Sequence, residues 1–180
     1  MPISYNIAPN QEVLAIRFNP ETKQRSLDRL RSGLVPYWAK DEKIGFKTIN
    51  ARAETVDSAC SAFKKRRCLI PADGFYEWKK VIGGKIPYSI DMKDDSPFVF
   101  AGLWEGWQNP ETQEWLRTCT IITDQPNELV AEIHMRMPVI LPPETQTSGC
   151  LAKPGGGFTT VPGPGDENKS RLKPGKQTRK

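Results

Sequence analysis

The chain is broken into short β-branched or aromatic stretches fenced by Pro, Gly, Asn and Asp, and this punctuation restricts its fold more than any other feature. The stretches are residues 13–18, 68–70, 75–79, 87–91, 98–103, 117–123 and 137–141, and 16 prolines and 14 glycines help to separate them. Such side chains suit a pleated, half-buried surface, while Pro removes a backbone donor and Gly frees the backbone, so the runs end as strands do. The expectation is an α+β fold, a barrel-like and mainly antiparallel β-sheet with a few flanking helices. Val81-Ile82-Gly83-Gly84-Lys85 predicts a hairpin turn. Helix is predicted over residues 57–65, capped by Asp57 or Ser58. A second is predicted over residues 125–133, where Pro126 sits near the first turn and Leu129, Val130 and Ile133 have helical spacing. The second helix would deliver His134 from its C-terminal end.

Residues 1–145 are long enough to bury a substantial core and read as one domain. The composition changes after Pro143: Gly155-Gly156-Gly157, Pro162-Gly163-Pro164-Gly165 and a basic end lack apolar periodicity, which predicts a flexible tail over residues 146–180. The formal charge is +5 with a pI near 9.0. Removing the six cations among residues 169–180 leaves the remainder near −1, so an anionic partner of the folded part needs a local patch. No apolar run approaches the ~20 residues that span a bilayer, and Met1-Pro2-Ile3-Ser4 opens neither a signal nor a transit peptide. A cytoplasmic monomer is expected. Cys60, Cys68, Cys119 and Cys150 form no CxxC pair and have one histidine to help them, so neither zinc nor a disulfide framework is expected, and no other cofactor is implied. Cys68 and Cys119 lie in apolar runs where cysteine serves as a small core residue.

Three polar segments have the residue types of an active site. They are Asn50-Ala51-Arg52-Ala53-Glu54, Asp73-Gly74-Phe75-Tyr76-Glu77-Trp78 and Ile133-His134-Met135-Arg136-Met137-Pro138, the last holding the only histidine. A carboxylate among aromatics is raised in pKa by desolvation and an imidazole titrates near neutrality, which makes Glu77 and His134 a candidate proton-transfer pair. Asn50 has the amide to orient a carbonyl. The same residues also fit a plainer pattern, with Glu77 solvated on a strand and His134 satisfied in the core. Arg52 has the reach for phosphate, and Pro9, Trp38 and Trp78 offer flat faces for unpaired bases, although a Trp in a small β domain commonly belongs to the core. Lys65 and Arg66 either add to such a patch or form an ordinary solvated helix end.

Six ordered segments resemble the SRAP family (SOS response-associated peptidase), the abasic-site processing proteins. They are Tyr5-Asn6-Ile7-Ala8-Pro9, Gly33-Leu34-Val35-Pro36-Tyr37-Trp38-Ala39, Ile49 to Thr55, Cys68 to Trp78, Phe100-Ala101-Gly102-Leu103-Trp104 and Ile133 to Leu141. The resemblance implies an SRAP-like barrel and a groove for single-stranded DNA containing an abasic site. It also implies a role in the DNA damage or SOS response, with nucleoid association when bound to damaged DNA. Family members capture the opened sugar aldehyde as a thiazolidine through the α-amine and thiol of an N-terminal cysteine. By motif match Asn50 would position the sugar, Glu77 would shuttle protons during Schiff-base formation and reversal, and His134 would assist ring opening.

The sequence departs from the family pattern in three places. Members start Met-Cys-Gly-Arg and continue through a helical stretch before Tyr-Asn-Ile-Ala-Pro, whereas here Pro2 follows Met1 and the motif comes at once. Ser32 stands where Trp is common, and no closing helix and strand are recognisable after Pro143, with 157–162 as their one candidate remnant. None of the four cysteines joins amine and thiol in one terminal residue. The expectation is therefore an abasic-site processing protein whose recorded start omits the nucleophile, or alternatively a catalytically inactive single-stranded DNA-binding remnant. Peptide hydrolysis by a triad is not supported.

Overall fold

The computed structural model describes residues 6–19, 22, 24–59, 62–143, 145 and 170–174. Eleven strands are present among them: β1 Glu12–Asn19, β2 Gln24–Ser32, β3 Asn50–Arg52, β4 Arg67–Ala72, β5 Gly74–Val81, β6 Gly84–Met92, β7 Phe98–Gln108, β8 Trp115–Asp124, β9 Met137–Pro138, β10 Ile140–Leu141 and β11 Ser170–Pro174. Three single-turn helices, α1 Val56–Ala59, α2 Ala62–Lys65 and α3 Glu128–Ala131, join a 3-10 helix over Glu42–Lys47. The α+β expectation holds, with strand dominating.

Five strands close a ring in the order β1, β2, β8, β7, β4. Four contacts are antiparallel: β1 on β2 (Glu12↔Arg31 to Asn19↔Gln24), β1 on β4 (Ile16↔Leu69), β4 on β7 (Arg67↔Leu103 to Ala72↔Phe98) and β7 on β8 (Gly102↔Ile121 to Gln108↔Trp115). Closure comes from a short parallel contact of β2 with β8, Arg31↔Thr118 and Ser32↔Cys119, prolonged by the Gly33 N–H donating to Cys119 O at 2.8 Å. Closing the sheet on itself covers strand edges that would otherwise recruit another chain.

Alternation along β4 and β7 explains why their sequences read as nearly continuous apolar runs. Cys68, Ile70, Phe98 and Phe100 pack into one cluster with Val13, Ala15 and Leu30, while Leu69, Ala101 and Leu103 point the other way into a second with Leu34, Ile122 and Val139. Both faces are covered, so neither set of alternate positions is polar. Cys68 and Cys119 are both buried. A smaller cluster of Val35, Ala39 and Trp107 anchors the 3-10 helix, and the Trp107 indole N–H donates to Ala39 O at 2.7 Å. Asp41 caps that helix through the Lys43 N–H, and the Thr48 hydroxyl donates to Leu34 O at 2.6 Å, tying its far end to the barrel.

β5 and β6 form the predicted hairpin, with Val81 paired to Gly84 across Ile82-Gly83 and Gly83 at φ 88°. The helix predicted over 57–65 is realised as α1 and α2, with Cys60 and Ser61 between them outside the described residues. The one predicted over 125–133 contracts to α3 because Asn127, rather than a residue nearer Gln125, takes the cap: its side chain accepts from Val130 N–H at 3.0 Å. Two strands were not foreseen near the N-terminal half, β2 and β3. Another correction concerns the tail. Residues 170–174 form β11, antiparallel to β6 from Ser170↔Met92 to Pro174↔Tyr88, because β6 offers an unpaired edge opposite β5. Residues 146–169 and 175–180, with Cys150 and the segment 157–162, lie outside the described residues. Among the described residues no helix is long and apolar enough to cross a membrane.

Candidate functional site

Two elements bring Glu77 and His134 together by docking on the same apolar cluster. Phe75 of β5 packs edge-to-face on Phe98 and Phe100, with centroids 6.4 and 5.8 Å away, and Val130 of α3 is fully buried against the same group. Burying a side chain such as Val130 contributes about 1.5–3 kcal/mol, enough to fix a single turn whose intrinsic helicity is negligible. Glu77 lies two residues beyond Phe75, hence on the same face of β5. His134 follows α3 directly, and its backbone N–H donates to Val130 O at 2.9 Å.

The result is a His134 Nδ1 to Glu77 Oε1 distance of 3.8 Å, with the carboxylate side chain 20% exposed and the imidazole 46%. Burial pushes the Glu77 carboxyl above the ordinary carboxylate range, opposed by the facing His134 and by the Trp78 backbone N–H. The same Nδ1 lies 3.0 Å from Arg136 O and 3.3 Å from Arg136 N. A protonated Nδ1 donates to that carbonyl, and an unprotonated one accepts from that amide, so one residue serves both states of the ring. Nε2 lies on the far side of the imidazole from these partners.

Asn50 and Arg52 stand exposed on one face of β3, whose register on β8 is parallel, Asn50↔Ile121 to Arg52↔Thr123. Thr123 also pairs with Pro138 of β9 on its other side. The order β3, β8, β9 therefore sets Asn50 and Arg52 across one strand from the segment that carries His134. A side-chain bridge spans the gap. Arg136 donates from Nη1 and Nη2 to the two Glu54 oxygens at 2.7 and 2.8 Å, from Nη2 to Thr123 O at 2.6 Å, and from Nε to Thr123 Oγ1 at 3.2 Å. The guanidinium holds the Glu54 carboxyl down at about 2. Sequence reasoning gave neither Glu54 nor Arg136 a role. Their opposite charges in two of the polar segments were the available signal, and only strand register shows that they meet.

The remaining candidates are spread more widely. Trp78 is 49% exposed on the outward face of β5, and Pro9 is exposed in a turn closed by Gln11 N–H on Ala8 O. Trp38 is 64% exposed beside a groove of about 370 Å³ lined also by Lys40, Asp41, Lys43, Ile44 and Lys47. That groove is at the Trp115 end of β8, through Ala39 and Trp107, whereas Asn50 and Arg52 are at the Asp124 end. Arg66 binds buried Glu105 at 2.8 Å, a structural use that takes it out of any free cationic patch. Among the described residues no group of three or more His, Cys, Asp or Glu side chains is arranged to hold a metal ion.

The chain is similar to the abasic site processing protein YoqW of Bacillus subtilis (54% identity over 148 residues, 79% of this chain and 64% of that protein). It is also similar to the abasic site processing protein HMCES of Gallus gallus (37% over 151 residues, 70% of this chain and 45% of the relative). It thus spans less than two thirds of either relative's length. A crystal structure of a Bordetella bronchiseptica protein superposes with a TM-score of 0.83 at 26% identity, covering 98% of this chain and 89% of that one. Another, from Bacteroides thetaiotaomicron, gives 0.69 at 32% identity, covering 76% and 61%. Since the family profile described as SOS response associated peptidase (SRAP) also matches residues 1–153, the chain belongs to the SRAP family.

Proposed function

We propose that this domain binds single-stranded DNA at an abasic site and that Glu77 and His134 move the protons required to open the deoxyribose and capture its aldehyde. The observation that carries the reading is the 3.8 Å approach of a half-buried carboxyl, raised by that burial, to the chain's one imidazole, across one strand from Asn50 and Arg52. Ring opening takes a proton from the C1′ hydroxyl and gives one to the ring oxygen. Amine addition at C1′ then gives a carbinolamine whose C1′ oxygen leaves as water, which requires an acid, while the former ring oxygen stays as the C4′ hydroxyl; thiolate addition to the imine closes a thiazolidine. A carboxyl raised by burial holds its proton to higher pH than an exposed one and so can supply that acid, and His134, exposed on its outer side, exchanges protons with the sugar. The family's terminal cysteine supplies amine and thiol. Asn50 orients the sugar, Arg52 contacts phosphate, and Pro9, Trp38 and Trp78 support unpaired bases.

Two measurements test this reading. Fluorescence anisotropy on the 180-residue chain should show a preference for abasic single strands over intact duplex, weakening as salt rises. A chain extended with the Met-Cys-Gly-Arg segment of a bacterial relative should form a denaturant-resistant adduct on a gel, slowed by about 10²-fold in Glu77→Gln with DNA binding retained. Unchanged adduct formation and reversal in folded Glu77→Gln and His134→Ala variants would remove the acid–base assignment. Binding without any adduct would favour a purely non-covalent DNA-binding domain.

A further inference from the structure

We infer that Glu54 is a positioning residue for His134, acting through Arg136, whose side chain Glu54 and Thr123 fix and whose backbone flanks the imidazole Nδ1. The inference rests on the proposed acid–base reading for its functional meaning, but its geometry is independent of DNA. Arg136 is held at both ends. Its guanidinium makes four hydrogen bonds of 2.6–3.2 Å to Glu54 and Thr123, while its carbonyl and amide lie 3.0 and 3.3 Å from His134 Nδ1.

The segment needs such a brace. α3 is one turn long and Met135 is 87% exposed, so between buried Ile133 and the start of β9 at Met137 little packing restrains residues 134 and 135. The bridge crosses β8 to reach Glu54 just beyond β3. It therefore sets the His134 segment against the strand that carries Asn50, as well as against Glu77. Bidentate pairing of a planar guanidinium with a carboxylate defines orientation, which a single ammonium cannot do. A brace that presents both a carbonyl and an amide to one ring nitrogen keeps the imidazole in place whether or not Nδ1 carries a proton, which suits a group that must take up and release one.

The lone histidine makes the test direct, because its Hε1 and ring ¹⁵N resonances need no assignment by mutation. Spectra are compared for the full chain, Glu77→Gln, Glu54→Gln and the double variant, each checked for folding by circular dichroism. In the parent, Glu77→Gln should move the His134 resonances. In the Glu54→Gln background that displacement should fall about twofold or more, the non-additivity of residues acting as one unit. Glu54→Asp and Arg136→Lys, which keep the charge but not the two-point geometry, should give the same partial loss, and they serve if Glu54→Gln fails to fold. Full additivity, with the His134 signals unchanged by Glu54→Gln, would overturn the inference. Abasic-strand binding is measured alongside: loss of the nuclear magnetic resonance coupling with binding intact leaves the positioning role standing, whereas absent binding in the parent removes the functional reading and not the brace.

Discussion

Replacing Gly33 by Ala should be among the most damaging single-methyl changes available to this protein. Gly33 sits at φ 102°, and a Cβ there would lie 2.4 Å from Gly45 O and 2.9 Å from Gly45 C. Both obstacles are backbone of the 3-10 helix, itself tied down by Thr48 and Asp41, so neither swings aside. An L-residue at positive φ costs about 1–2 kcal/mol, and overpacking a fixed site adds about 1–3 kcal/mol. A loss of about 3–4 kcal/mol is therefore expected, roughly a 1.5–2 M fall in urea midpoint for a slope near 2 kcal/mol/M. Three other glycines separate the contributions. Gly84→Ala meets nothing within 4 Å at an ordinary φ and should stay within about 0.5 kcal/mol of the parent. Gly83→Ala has φ 88° in open space and should cost about 1 kcal/mol. Gly102→Ala has an ordinary φ but approaches Ile70 Cδ1 at 2.8 Å and Cys68 Sγ and Thr120 O at 3.0 Å, which should cost about 1–3 kcal/mol. Urea unfolding followed by circular dichroism gives all four. If Gly33→Ala costs no more than Gly83→Ala, the contact between the 3-10 helix and the end of β2 is not as close as described and the reasoning fails.

Glu77→Gln should raise stability near pH 7, since it removes a group whose charged form burial disfavours. Its folded pKa lies above the unfolded value, so the native state loses stability as pH rises through the folded pKa, and the gain should vanish below the unfolded value; unfolding curves at pH 4 and 7 check this. For Glu54 the sign is opposite. Held at about 2, its carboxylate contributes above the unfolded carboxylate range, and the contribution is lost only as pH falls toward 2, so the Arg136 Nη–H cross-peaks should persist at pH 3 and disappear in Glu54→Gln. Burial pushes the Cys119 thiol up to about 12, and Cys68 is buried beside Gly102, so neither should react with an aromatic disulfide reagent until the protein is unfolded.

How much of this could be read from residues alone depended on where each segment's partners lie. β4, β7 and β8 were legible because both of their faces are buried and their apolar runs are unbroken. β2 was not, since in Gln24-Arg25-Ser26-Leu27-Asp28-Arg29-Leu30-Arg31-Ser32 only Leu30 is fully buried and Leu27 is 61% exposed. Its charges are matched across the hairpin, as Asp28 is to Arg17 at 2.8 Å, and such pairing leaves no alternation to read. β11 escaped for a similar reason: backbone pairing with the β6 edge needs no apolar pattern. At the site, residue chemistry pointed to Glu77, His134 and Asn50, but that Phe75 and Val130 share one cluster, and that Arg136 reaches Glu54 across β8, are facts of register. Trp38 is exposed while Trp107 fills the core beside it with Val35 and Ala39, and Trp78 is exposed on the face of β5 opposite Phe75.

The parallel seam between β2 and β8 has a consequence for how the protein comes into being. β2 waits from residue 32 until residue 118 for its second neighbour, and β7 waits for the same strand. Contacts so distant along the chain place closure late in folding, and until it happens two strand edges stand open in a growing or refolding polypeptide. Arg25, Arg29 and Arg31 stud the β2 edge with positive charge, a deterrent to pairing with a neighbouring molecule during that interval. Because β3 and β9 also assemble on β8, Asn50 and His134 acquire their places only after residue 124 has arrived. A partly made chain therefore carries every residue up to Glu77 without the approach of Glu77 to His134, which a ribosome-bound fragment lacks and only a finished molecule has.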